Sequence, residues 1–262
     1  MEKSEIYKAL ESDFTSTFIY ELMPGVLHNF ANPLNGIMGR AKLLQRRIDD
    51  TLKKINEQYP ETAAGLADEL QRIKNDIHSV NKESESFFEM FRDASGKFYA
   101  LASKGQDRIN ISQLLAAEMR FSNFYLEFKH EITKKVQLDG DGIDEIKGNT
   151  AELSLVFWRL IRFAMIRALK SEIKEFSLET QHDNENIFII IKYSGDGVPK
   201  EVSNNITKCF QDNKLNMSDI KAEKGLLMAF AILKQYAAKV QFSVQEDINT
   251  LSVTMPYRVS AG

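Results

Sequence analysis

Along the first hundred residues, apolar positions recur at steps of three and four. In "LMPGVLHNFANPLNGIMGRAKLL" they are Leu22, Val26, Phe30, Leu34, Ile37, Ala41 and Leu44, which fall on one face of a helix. A second run goes Leu66, Leu70, Ile73, Ile77, Val80, polar Ser84, then Phe87, Phe91, Ala94, Phe98 and Leu101. Steps of four and three without a slip are the heptad signature of a helix packed in a bundle seam. Between the runs, "NEQYPET" predicts a turn at Tyr59-Pro60, with Pro60 suited to open the second helix. The two helices predict an antiparallel hairpin. A lone hairpin packs poorly, and two copies paired as a four-helix bundle would bury both seams, so a homodimer is expected. The alternative, a hairpin folded back on the second half of its own chain, leaves too much of the heptad run uncovered.

Near "ASKGQDRINISQ" the period changes, which predicts a boundary at Lys104–Asp107. "DRINISQLLAAEMRF" reads as a short strand and a helix, with Ser112 as N-cap. "HEITKKVQLD" alternates like a strand, and "DGDGIDEIKGN" is a turn-rich loop. "TAELSLVFWRLIRFAMIRAL" and "GLLMAFAILKQYAAK" are apolar helices. "EFSLETQHDNENIFIIIKY" and "VQFSVQEDINTLSVTMPY" are pairs of strands about polar turns, and "SGDGVPKEV" is a glycine-rich turn. Helices mixed with antiparallel hairpins predict an α+β fold whose second half is a two-layer α/β sandwich.

Composition narrows the class. Of 262 residues, 43% are hydrophobic and 27% charged, as in a soluble globular protein, and the formal charge of −3 argues against a general nucleic-acid binder. The single cysteine, Cys209, excludes an internal disulfide and fits a reducing cytoplasm. No apolar run has the length of a membrane span, so no membrane segment is expected.

His28 sits in the middle of the first helical run, and Pro33 follows five residues later. Proline has no N–H and crowds the carbonyl four residues back, so a bend past His28 is expected. The order of elements and the stretch "HNFANPLNGI" resemble the core of two-component sensor histidine kinases. In that family a dimerising hairpin carries a phosphorylated histidine, and a Bergerat-type sandwich binds ATP. The family motif reads histidine, usually an acid, two residues, Asn or Thr, Pro, Leu; here those places hold His28, Asn29, Asn32, Pro33 and Leu34. The resemblance covers nearly the whole chain. It implies residues 1–105 as a dimerisation and histidine-phosphotransfer hairpin and 106–262 as an ATPase-type domain. It further implies His28 as phosphoacceptor, with Asn29 and Asn32 beside it. His78, His130 and His182 sit in no comparable context.

The nucleotide boxes depart from the family pattern. Arg159 and Phe163 stand where asparagines would hold magnesium and phosphates, and a phenyl ring cannot ligate a hard cation. Tyr193 replaces the adenine-binding aspartate of "YSGDGVP", which keeps Gly195, Gly197 and Pro199; Asp196 lies three residues late. "KGLLMAF" keeps Gly225 of a glycine pair but has Leu227 for the second, and the segment before it lacks a glycine-rich lid. These positions are read as vestigial: no cofactor and no metal site are expected. Asn29 in place of an acid points the same way, since an amide cannot take up the proton that general-base assistance toward ATP requires. Asn32, one turn beyond His28, reads either as a residue that orients a water for dephosphorylation or as a polar surface residue.

The leading expectation is a phosphotransfer protein that exchanges a phosphoryl group between His28 and the aspartate of a response-regulator receiver domain. One alternative is a kinase core that phosphorylates His28 from Mg-ATP through an unusual pocket. Another is a non-catalytic dimeric module that binds a regulator or kinase.

Overall fold

The computed structural model describes residues 3–57, 63–102, 105, 107–139, 145–200, 202–204, 206 and 223–257. The expected turn at Tyr59-Pro60, Cys209, the 140–144 loop and the lid segment 207–222 lie outside the described residues.

Two compact units divide the chain: Met1–Met23 with Gly96–Gly262, and Pro24–Ser95. The expected division after residue 105 counts the first 23 residues with the hairpin, whereas here they fall with the sandwich. The physical reason is local. Helix α1 (Lys3–Thr17) buries Ile6, Leu10 and Phe14, spaced four apart, and Phe14 meets Trp158 edge-on at 4.9 Å.

A single π turn, Phe18–Leu22, connects α1 to α2 (Met23–Glu57), and helix α3 is Ala63–Ala102. Helix α2 continues through Pro33. Within the Pro24–Ser95 unit, Phe30 meets Phe87, a Cβ on Gly36 would touch Glu83 at 3.0 Å, and Arg47 pairs with Asp76. Partners on α3 descend in number as α2 ascends, so the hairpin is antiparallel. The seam is only partly covered: Ile77 is 43% exposed and Phe91 53%.

The other unit holds a five-stranded sheet in the order β2-β4-β5-β7-β6. Its strands are β2 (Thr133–Gln137), β4 (Glu175–His182), β5 (Asn186–Ser194), β6 (Lys239–Gln245) and β7 (Ile248–Pro256). Strands β2 and β4 run parallel, and the other neighbours are antiparallel. A separate antiparallel pair joins β1 (Asp107–Asn110) to β3 (Glu145–Gly148). Alternation decides the packed face: Ile187, Ile189, Ile191 and Tyr193 of β5 are buried, as are Leu251, Val253 and Met255 of β7. Helices α4 (Ile111–Ser122), α6 (Thr150–Lys170) and α7 (Lys224–Gln235) supply the second layer, with α5 (Leu126–Glu131) beside α6. The expected α+β architecture, helical hairpin followed by two-layer sandwich, is therefore present.

One detail differs from expectation. The N-cap of α4 is Asn110, whose side chain accepts from the Gln113 amide at 2.8 Å, and not Ser112. Ser112 lies one residue inside the helix, buried, with its hydroxyl 2.9 Å from that of Thr180. Asparagine at the last extended position satisfies an orphan amide, and the serine inside the helix is free to bridge to the sheet.

Candidate functional site

His28 is exposed on α2. Among the described residues no hydrogen bond or ion pair engages it. Asn32, one turn on, is also exposed, so the two share a helical face. Asn29 points elsewhere: it is 7% exposed, and its Nδ2 donates to the Gly25 carbonyl at 2.9 Å. The amide next to His28 is thus committed to its own helix. Pro33 is buried and offers no N–H to the Asn29 carbonyl, the acceptor four residues back. Leu34, 48% exposed, adds an apolar contact surface near the histidine.

The positions expected to be remnants of nucleotide boxes lie on the sandwich unit. Arg159, Phe163 and Arg167 lie four apart on α6 and form one stripe. Phe163 is 1% exposed; the Arg167 guanidinium stacks on it at 3.6 Å, and the Tyr193 ring meets it edge-on at 5.9 Å. Burial pushes the Tyr193 phenol up to about 12, partly offset by Arg167. Burial also lowers the Arg159 pKa, an effect opposed by Asp13.

The two glycines of the turn after β5 are held there by steric crowding. Gly195 has φ +95°, and a Cβ there would stand 2.6 Å from the Arg167 carbonyl. Gly197 lies against Asn249, where a Cβ would be 2.7 Å from Oδ1. Asn249, buried on β7, donates from Nδ2 to the Gly195 carbonyl at 2.6 Å and so fastens the turn to the sheet. Asp196 is exposed. Gly225 opens α7, while Leu227, 0% exposed, belongs to the core.

Sequence reasoning missed the charged residues that surround this stripe. Arg159 and Arg167 both pair with Glu223, and Arg162 pairs with Glu21 at 2.6 Å. Lys97, Glu118 and Ser154 form a separate buried cluster, with Lys97 Nζ 2.8 and 2.7 Å from the two Glu118 oxygens. No short-range signal marks these residues, because each pairing spans 21 or more positions. Among the described residues, no group of three His, Cys, Asp or Glu is placed to hold a metal ion, and no helix is long and apolar enough to cross a membrane.

A helical hairpin with an exposed histidine before Asn-Pro-Leu precedes the five-stranded sandwich, and the chain is similar to two-component sensor histidine kinases. The sequence comparison carries that relationship. The aerobic respiration control sensor protein ArcB homolog of Haemophilus influenzae is 27% identical over 193 residues, 74% of this chain and 53% of that protein. The chain spans about half the length of this curated relative. No family model matches. Among solved structures, the Acinetobacter baumannii histidine kinase AdeS is similar at 13% identity and TM-score 0.44, over 84% of this chain and 96% of that one. The catalytic domain of histidine kinase ThkA is similar at 13% and 0.45, over 58% and 96%.

Proposed function

We propose that this chain is a dimeric histidine phosphotransfer protein, passing a phosphoryl group between His28 and a response-regulator aspartate. The observation that carries this reading is the exposure of His28 beside an amide turned away from it. An unencumbered imidazole on an outer helical face can meet a docked receiver domain. Asn29, by contrast, is spent on Gly25 and offers no general base for attack on a nucleotide.

Transfer from the partner balances simply. The Nε2 lone pair of neutral His28 forms a P–N bond while the P–O bond to the receiver's aspartate breaks. The carboxylate leaves with the electron pair, and the Nδ1 proton passes to solvent. Alignment is the main demand on His28, since charge stabilisation comes from the receiver. Two copies paired along α2 and α3 would cover the half-exposed seam that includes Ile77 and Phe91.

The test uses the whole chain and a panel of receiver domains charged with radiolabelled acetyl phosphate. The expected result is an acid-labile, alkali-stable label on the chain, lost in His28→Ala with the fold retained. Label that persists in His28→Ala, or that no receiver can deliver, sinks the proposal. Label acquired from Mg-ATP alone would restore the kinase reading.

A further inference from the structure

The stripe on α6 faces the first turn of α7, and charged side chains bridge the two helices. Arg159 Nη2 donates to Glu223 Oε2 at 3.2 Å, and Arg167 Nη2 donates to Glu223 Oε1 at 3.1 Å. One carboxylate is therefore held between two guanidinium groups, one oxygen to each. Phe163 and Tyr193 fill the space along the stripe with aromatic rings. On the side of α1, Asp13 Oδ2 stands 3.9 Å from Arg159 Nε. A Cβ on Gly225 would lie 2.5 Å from that same Nε, so the guanidinium rests directly on the backbone of α7. Glu223 itself adopts φ +55°, a left-handed conformation disfavoured for any residue with a Cβ. In that conformation its carboxylate meets both arginines.

The family's Mg-nucleotide does not fit these residues. A magnesium ion needs oxygen ligands, and the stripe offers guanidinium, phenyl and guanidinium. The phosphates would have to displace a carboxylate already paired on both oxygens. The adenine would have to displace Tyr193, 1% exposed and packed on Phe163.

We propose that Glu223 is a resident internal anion: its carboxylate takes the oxyanion position between Arg159 and Arg167, locks α7 to α6, and keeps nucleotide out of the cleft. This inference concerns the sandwich unit alone and stands whether or not His28 accepts a phosphoryl group. It predicts an uncommon property. Removing the carboxylate should expose two paired guanidiniums in a geometry suited to a small tetrahedral oxyanion.

The experiment follows thermal unfolding of the full chain by the fluorescence of Trp158, which is 1% exposed on α6. Wild type should show no saturable stabilisation by millimolar Mg-ATP, and inorganic phosphate should act no differently from sodium chloride at equal ionic strength. Glu223→Ala should unfold roughly 5 °C lower, and phosphate, but not chloride, should restore part of that loss. Recovery should vanish when Arg159→Met and Arg167→Met are added. If Glu223→Ala does not fold, Glu223→Gln supplies the same comparison, because it keeps the shape and removes the charge. Saturable Mg-ATP stabilisation of wild type overturns the proposal. So does a variant as stable as wild type, a loss that phosphate leaves unrepaired, or a recovery that persists without the arginines.

Discussion

Lys97 offers the sharpest quantitative test of the structure. Its side chain and that of Glu118 are each 2% exposed. Its ammonium reaches both Glu118 oxygens, the Ser154 hydroxyl at 2.7 Å and the Ser154 carbonyl at 3.2 Å, while the Ser154 hydroxyl donates to Glu118 at 2.6 Å. Phe14 and Phe121 present their rings to the ammonium at 5.1 and 5.8 Å. Lys97→Met keeps the length of the side chain and removes the charge, which strands a carboxylate with one hydroxyl donor.

Stranding a buried charge costs about 3–5 kcal/mol, but the carboxylate can escape part of that by taking up a proton. From an ordinary Glu value of ~4.3, neutralisation at pH 7 costs about 3.7 kcal/mol, and at pH 5 about 1 kcal/mol. The deficit of Lys97→Met should therefore be about 3–4 kcal/mol at pH 7 and shrink as pH falls. The sign follows from linkage: the folded variant holds a proton that the unfolded chain has released, so its stability drops as pH rises. Urea unfolding followed by Trp158, the chain's only tryptophan, reports on this region, because Trp158 packs on the same Phe14. Lys97→Met/Glu118→Gln should recover at least ~2 kcal/mol of the loss. A deficit under about 1 kcal/mol, or one that does not change between the two pH values, would refute the buried ion pair.

Other regions make independent predictions. Gly195→Ala forces a Cβ against the Arg167 carbonyl at a positive φ, and should cost about 2 kcal/mol or more in urea unfolding; a neutral effect would contradict the turn geometry. Tyr193 should make the fold sensitive to alkali. Its raised pKa of about 12 means that stability present below pH 10 falls as the unfolded chain ionises first, by about 1.4 kcal/mol at pH 11. Tyr193→Phe should remove that share of the slope, and an unchanged slope counts against the burial of the phenol. Ile77→Glu and Phe91→Glu place charges on side chains already half-exposed in one copy, so they should spare the hairpin and split the proposed dimer in light scattering. A stable dimer in both variants would place the copy–copy contact elsewhere.

Much of the fold was legible because it rests on short-range periods. The alternation in "NIFIIIKYS" and "INTLSVTMP" marks the faces of β5 and β7, since a strand packed on one side must bury every second residue. The heptad run of α3 was legible for the same reason. Where α1 packs was not: Ile6, Leu10 and Phe14 announce an apolar stripe, but nothing local says which element receives it. The capping of α4 was misread by two residues because Asn110 and Ser112 are both good cappers, and only the backbone decides which is the last extended residue. At the candidate site, "HNFANPLNGI" singled out His28 and Asn32, and both are exposed, whereas no local signal announces the burial of Asn29 or its bond to the Gly25 carbonyl. Lys97 and Glu118 were illegible as buried partners, and Glu223 and Glu21 as partners of the α6 arginines, because charged residues in helices ordinarily face solvent.

These missed charges have a common focus. Helix α6 receives Asp13 and Glu21 from the first 23 residues through Arg159 and Arg162. It receives the end of α3 through the contact of Lys97 with Ser154, and α7 through Glu223 on Arg159 and Arg167. Apolar packing alone would let such helices slide by a turn at modest cost, since one leucine-sized contact substitutes for another. Ion pairs with buried guanidinium or ammonium groups do not substitute. A shift of one turn leaves the largely buried member of each pair desolvated and unpaired, and that penalty exceeds what the paired geometry contributes. The register of three helical segments on the sandwich is therefore set from a single helix, so α6 cannot move against any one of them without breaking a polar contact to a largely buried side chain.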